Sequence, residues 1–414
     1  VLTRRRVAAL AGALLAALLA ACARPHVHAP SAPRALPAVV ADEPWESTLL
    51  LIGDAGAPGE RVGGGPDPVL RAAARELRQA TGARAVVFLG DNIYHDGYPP
   101  VTVRREPASD EERRARTILE RQARLDAPAD APIEATIPRW FVPGNHDWND
   151  ASVWNALVGA PRDGARRAAA QDAYLRTLGA VDGAEVRTLP AGGCPGPEVR
   201  DVGSRLRVIA VDTEWWLQDR RAGDAAACGG VADRDASVRA LRAAIAGAGE
   251  RRVIVVGHHP LATAGPHGAH CAGGVACALA RPFRLAGSHL TGRQDLSNRP
   301  NVAMRRALES ALRERPPLAY AAGHEHALQV FRGGAADWYL VSGSGNHAHT
   351  ERVGCRRAST LALAAGGFMR LDATTDGRVR LTVLTAATDG TPIVRYRRWL
   401  TGTDARAAEE GANC

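Results

Sequence analysis

The chain has 414 residues, 46% of them hydrophobic, enough to bury a sizeable core in one large or two modest domains. Its 52 cationic and 44 acidic residues leave a formal charge of +8. There is no lysine, and abundant arginine, alanine and glycine carry the imprint of a GC-rich codon bias. No arginine stripe interleaved with aromatics points to nucleic acid, so binding of DNA or RNA is not expected.

The first 21 residues read as an address. Arg4, Arg5 and Arg6 precede an apolar stretch, Val7 to Ala21, that is short for a membrane span. It closes on Leu19-Ala20-Ala21-Cys22, which resembles the lipobox of bacterial lipoproteins and implies a lipid on Cys22. Export to the cell envelope, anchored in a membrane, is the expectation. Residues 22–44 are rich in proline and alanine and read as a tether. Six cysteines remain, an even number behind an export signal, which favours disulfides. Proximity along the chain pairs Cys194–Cys228, Cys271–Cys277 and Cys355–Cys414. Alternatively His267, His270, Cys271 and Cys277 would hold zinc, although their spacing is not that of a standard finger.

Strands then alternate with helices, the signal of an α/β sheet. Residues 47–54 (STLLLIGD) read as a strand. A helix follows with Asp67 as its N-cap, Pro68 at its first position and Gly82 at its C-terminal end. AVVFLGD (85–91) is the next strand, completing a βαβ unit. Ser109 and Glu112 form a capping box that opens a charged helix to about Asp126. RWFVPGNHD (139–147) is a third strand, followed by a longer, irregular region. Further strands are expected at 205–216, 251–260 and 317–326. From residue 337 onward the pattern is strand-rich, with turns at Asp376-Gly377 and Asp389-Gly390. Residues 264–300 look like an inserted loop, and 401–414 like a tail.

Five of these runs share one grammar: an apolar strand, a glycine, then a side chain able to hold a metal. In an α/β sheet the crevice beyond the carboxyl ends of the strands is where ligands bind. The pattern would bring Asp54, Asp91, Asn145, His146, His258, His324 and His326 to one rim, with Tyr94 three residues beyond Asp91. Carboxylates crowded together repel unless a cation sits between them. Neutral imidazoles beside carboxylates suit transition metals.

GDAG (53–56), GDNIY (90–94), GNHD (144–147), GHHP (257–260) and GHEH (323–326) resemble the five blocks of the calcineurin-like metallophosphoesterases. Tyr94, GHEHALQ (323–329) and VSGSGN (341–346) are most similar to the purple acid phosphatases of the small tartrate-resistant type. The likeness spans roughly residues 47–347, and its specificity lies in those short blocks.

The resemblance implies a double β-sandwich flanked by α-helices, one catalytic domain over about 45–400. It also implies two metal ions sharing Asp91. Asp54, Asp91, Tyr94 and His326 would hold Fe3+, and Asp91, Asn145, His258 and His324 a second ion, Fe2+, Zn2+ or Mn2+. His259 falls outside this set. The implied reaction is hydrolysis of a phosphomonoester on a phosphorylated small molecule by a metal-activated hydroxide, with His146 near the leaving group. A phosphodiesterase or nucleotidase using the same metals, and a non-catalytic surface lipoprotein, are the alternatives. One position departs from the family: the small enzymes carry a histidine after GNHD, and here Trp148 stands there. It is expected either to wall the substrate pocket or to pack beneath the metal loop. The proton donor would then be His146, a loop residue or solvent. His95, His347 and His349 are further candidates for the pocket's fringe.

Overall fold

The structure is a computed structural model that describes residues 31–37, 44–59, 64–150, 163–218, 226, 228–268, 293–347, 349–401 and 410–414. The leader with Cys22, and His270, Cys271 and Cys277, lie outside the described residues.

The apolar runs are strands buried on both faces, which explains why they lack polar alternation. In β1 (Ser47–Ile52), Leu49 and Leu51 enter one hydrophobic layer, while Leu50 and Ile52 enter another. β2 (Ala83–Phe88) does the same with Val87 against Val86 and Phe88. Each such side chain contributes about 2 kcal/mol by leaving water. Between the two strands runs α1 (Pro68–Gln79), capped by Asp67, whose carboxylate accepts the N–H groups of Val69 and Leu70. β1 and β2 pair in parallel, so the expected βαβ unit is present.

β3 (Arg139–Phe141) and β4 (Val186–Thr188) extend the parallel set. A second sheet is built from β5 (Glu198–Val202), β6 (Leu206–Ala210), β7 (Arg252–Val256), β8 (Ala319–Ala322), β9 (Leu328–Arg332), β10 (Trp338–Ser342) and β11 (Ser359–Leu363). Its order is β11-β9-β10-β8-β7-β6-β5, with β6, β7, β8 and β10 parallel. The chain then returns to the first sheet. β12 (Gly367–Ala373), β13 (Val379–Ala386) and β14 (Pro392–Trp399) add antiparallel strands beside β1. The two aspartate-glycine turns join them, with Gly377 and Gly390 at positive φ as such turns require.

The sheets pack face to face over one core that takes alternate residues from β1, β2, β6, β7, β8 and β12. α1, α2 (Asp110–Ala123) and α3 (Gly164–Asp182) cover the outer face of the first sheet. α4 (Thr213–Leu217), α5 (Arg234–Ala246) and α6 (Arg299–Arg313) cover that of the second. The expected double β-sandwich flanked by helices is the observed fold.

Several local expectations are corrected. The irregular region after residue 147 holds the 19-residue helix α3. The strand expected over 205–216 ends at Ala210, and Trp215 and Trp216 lie on α4, started by the carboxylate of Asp212. The end of the supposed inserted loop is the first turn of α6. At α2, Ser109 accepts the N–H of Glu112, but Glu112 reaches back to the N–H of Ala108 rather than closing on Ser109. Residues 31–37, expected within the tether, lie along the edge strand β14, where Leu36 donates its N–H to Val394. The tail is fastened as well: Cys414 is bonded to Cys355, and the Asn413 side chain brackets Ala362 on β11. Cys194–Cys228 is the second disulfide among the described residues.

Candidate metal centre

The candidate residues all stand just past the carboxyl ends of parallel strands. Asp54 follows β1, Asp91 follows β2, Asn145 and His146 follow β3, His258 follows β7, and His324 and His326 follow β8. The first three strands belong to one sheet and the last two to the other, so the rim spans both. Gly53 ties the sheets together here: it donates its N–H to Ser342 and accepts that of Gly345. A Cβ on Gly53 would lie 2.7 Å from the Ser342 carbonyl, so only glycine permits this approach.

Three of these residues hold a left-handed backbone: Asp54 (φ 60°), Asp91 (φ 52°) and His324 (φ 70°). For residues with a Cβ this conformation costs about 1 kcal/mol or more each, and surrounding contacts must hold it. Gly144 supplies one such constraint, because a Cβ there would sit 2.3 Å from Asp91 Oδ1. Asp147 supplies another. Its buried carboxylate accepts the N–H groups of Gly144 and Asn92 and the Asn92 amide, and burial pushes it up to about 7.

The side chains gather into two groups of lone-pair donors. In the first, the Tyr94 hydroxyl lies 3.1 Å from His326 Nε2, 3.3 Å from Asp54 Oδ1 and 3.5 Å from Asp91 Oδ2. In the second, His258 Nε2 lies 2.9 Å from Asn145 Oδ1, 3.2 Å from His324 Nδ1 and 3.3 Å from Asp91 Oδ1. Asp91 thus turns one oxygen to each group. The tautomer of His258 follows from its other nitrogen: Nδ1 donates to the Leu89 carbonyl at 2.8 Å, leaving Nε2 as a lone pair aimed inward.

These donor sets fit metal ions. The second group sets two imidazole nitrogens, an amide oxygen and a carboxylate oxygen together, and a cation satisfies all four at once. Without one, protons must substitute. Burial opposes charge on His258, but Asp91 outweighs it and holds the imidazole up at about 9. Burial likewise opposes charge on His326, and the hydrogen bond and charge of Asp54 bring it to about 9. Burial raises Asp54 and pushes the Tyr94 phenol well above its usual range. For Asp91 the pull of burial is outweighed by His258 and His146, which hold it below the ordinary carboxylate range.

His259 lies close to this group, but both its ring nitrogens are engaged elsewhere. Nδ1 is 2.8 Å from the Thr213 hydroxyl, and Nε2 meets the Gln294 side chain. Trp148 is fully buried and gives its indole N–H to Asp212 at 2.9 Å. It packs beneath the metal loop and does not wall a pocket. His146 remains partly exposed, its ring 4.4 Å from that of Tyr94 and its Nδ1 2.6 Å from the His95 carbonyl. His349 stacks near Tyr94 and His326, at 5.1 and 5.7 Å between ring centres. His95 is exposed beside them, and the His347 ring lies against Gly366.

Sequence reasoning did not place His267 at the rim. Its ring lies 4.2 Å from that of His324, its Nδ1 is 3.0 Å from Asp295, and its face is partly exposed. Burial disfavours its charge, but Asp295 and Glu325 outweigh that and raise its pKa. The spacing of nine residues from His258, across two prolines and a glycine, is the only trace this leaves in the sequence.

The family model of the calcineurin-like phosphoesterases matches residues 47–328. The chain belongs to that family. Membership supports a metal-dependent phosphoester hydrolase acting on a phosphorylated substrate. No curated protein matches the chain. Among solved structures, PhoD superposes with a TM-score of 0.50 at 13% identity, covering 89% of this chain and 74% of its own. GAP50, an anchor in the inner membrane complex of Plasmodium, gives 0.48 at 14%, covering 83% and 86%. The purple acid phosphatase PPD1 from yellow lupin (Lupinus luteus) gives 0.47 at 14%, covering 82% of this chain and 51% of that one.

Proposed function

We propose that this phosphoesterase hydrolyses phosphomonoesters at a dinuclear metal centre. The observation that carries the reading is Asp91, which presents Oδ2 to one donor group and Oδ1 to the other. Asp54, Asp91, Tyr94 and His326 would hold one ion, and Asp91, Asn145, His258 and His324 the other. The phenol of Tyr94, buried beside two carboxylates, ionises only against a strongly Lewis-acidic cation, which favours Fe3+ there. Bound as a pair, the two ions would polarise the phosphoryl oxygens and furnish a hydroxide nucleophile near neutral pH.

The protein's own groups do the rest. His146 stands on the Tyr94 side of the rim with its Nδ1 fixed by the His95 carbonyl and its Nε2 turned to the shared carboxylate, 4.0 Å from Asp91 Oδ2, where it would meet a bound phosphoryl group. His267 stands on the His324 side. Asp295 fixes its Nδ1 as the donor to the carboxylate and leaves Nε2 to give a proton to the departing alkoxide. His267 therefore takes the part that Trp148 does not fill.

We also place the protein in the bacterial cell envelope, anchored through Cys22. The leader's charge pattern and lipobox support this, and two disulfides suit an oxidising compartment. Incorporation of labelled fatty acid into the native chain, abolished by Cys22→Ala, tests it.

Cleavage of p-nitrophenyl phosphate against its bis-ester tests the main reading, together with metal analysis of Asp91→Ala. Monoester preference and loss of both ions are expected. Strong diester preference would make it a diesterase, and a fully loaded, active Asp91→Ala would end the dinuclear proposal.

A further inference from the structure

Glu325 stands between His324 and His326, yet its carboxylate turns away from both donor groups. It is fully buried. Its Oε1 accepts the Thr263 hydroxyl at 2.9 Å and the backbone N–H of His267 at 3.0 Å. Thr263 in turn accepts the N–H of Gly265 at 2.8 Å, and its carbonyl accepts Arg356 at 2.8 Å. A Cβ on Gly265 would lie 2.1 Å from Glu325 Oε2, so the loop runs directly against the carboxylate.

A buried carboxylate carries a desolvation cost that an apolar side chain of the same size would avoid. Among the described residues, both hydrogen bonds of the Glu325 carboxylate go to the loop 263–268 rather than to the metal-binding turn. That loop holds His267 over the second donor group. Asp295 fixes the orientation of the ring, and Glu325 fixes the backbone from which the ring projects. A proton donor must come within about 2.6–3.2 Å of the leaving oxygen. A displacement of about 1 Å at such a site costs roughly 100-fold in rate.

From this juxtaposition we infer that Glu325 is a positioning residue for His267, coupling the metal-binding turn 323–326 to the loop that delivers the leaving-group proton. The inference rests on the role proposed for His267.

The test compares kcat/KM for 2,4-dinitrophenyl phosphate, whose leaving group needs no proton, with phenyl phosphate, whose leaving group does. It uses the metal-loaded wild type, His267→Ala, Glu325→Ala, Glu325→Gln and the double alanine variant. His267→Ala should lose roughly 100-fold on phenyl phosphate and less than about 5-fold on the dinitrophenyl ester. Glu325→Ala should lose roughly 10-fold on phenyl phosphate with the same selectivity and an unchanged metal content. The double variant should be no slower than His267→Ala, because both changes remove one function. Glu325→Gln keeps the accepting oxygen and should restore activity to within about 3-fold. Should Glu325→Ala not fold, Thr263→Val removes one strut of the same web and should show a smaller loss of the same selectivity.

Equal losses on both esters, multiplicative effects in the double variant, or a parallel loss of metal would overturn the inference in favour of plain support for the turn. A His267→Ala enzyme indifferent to the leaving group would remove the role of His267 itself, and the inference with it. The single variant identifies that case.

Discussion

The indole N–H of Trp148 meets the buried carboxylate of Asp212 at 2.9 Å, directly behind the Gly-Asn-His-Asp turn. The same carboxylate starts α4 by accepting the N–H of Trp215, and burial pushes it up to about 7. Trp148 is thus a strut between the metal loop and the second sheet's helical layer. Replacing it by histidine, the residue the smaller purple enzymes carry, vacates a large buried volume. Trp148→His is expected to lose about 3–5 kcal/mol in urea unfolding. It should gain nothing on substrates with poor leaving groups, because the side chain points into the core.

Tyr94 is 2% exposed, and its hydroxyl faces two carboxylates and an imidazole. If it ligates Fe3+ as proposed, the native enzyme will show a broad visible absorption and about two metals per chain by elemental analysis. Tyr94→Phe should lose the absorption and keep part of the activity, since the other three donors of that group remain. A colourless native protein holding only zinc or manganese would exclude the ferric assignment and leave the hydrolase intact.

The pH dependence of stability should separate the metal-free from the loaded protein. In the metal-free state His258 and His326 are each held up at about 9, against 6.5 for a free imidazole. A group whose pKa rises on folding stabilises fully below the unfolded value and loses that contribution as pH climbs through the folded one. Each imidazole therefore contributes about 3 kcal/mol at low pH, most of it gone by pH 9.5 or so. The metal-free Tm should fall over that range. In the loaded protein the cations take the place of these protons, so loading should raise Tm most at high pH. Chelator competition should show metal affinity falling about 10-fold per pH unit below 8 for each proton expelled.

Much of the candidate site was legible because most of its residues follow the same local device, an apolar strand closed by a glycine. Asp54, Asp91 and His258 needed only that reading to be placed at one rim. The helix α3 was not legible: its arginines and alanines recur without a clear apolar stripe over Gly164–Asp182. Nor does any local signal say that β12 pairs beside β1, more than 300 residues earlier in the chain, since such pairing is decided by the sheet that is already there. His267 was missed because its neighbours suggested zinc, whereas its place at the rim is set by contacts with Asp295 and Glu325, which are distant in sequence.

The C-terminus closes one side of the sandwich. Cys414 is joined to Cys355, Asn413 grips Ala362 on the edge strand β11, and Glu410 pairs by its backbone with Arg397 on the edge strand β14. Edge strands left open invite pairing with other chains, and here the last residues occupy both. The bond closes a loop with a sequence separation of 59. On chain entropy alone it should stabilise by about 4 kcal/mol. The double variant Cys355→Ser, Cys414→Ser is therefore expected to unfold at lower urea by that amount and to aggregate more readily on heating, as light scattering would report. Its metal content should match the native enzyme's, because neither cysteine belongs to the two donor groups. Unchanged urea stability would mean that the tail holds without its disulfide.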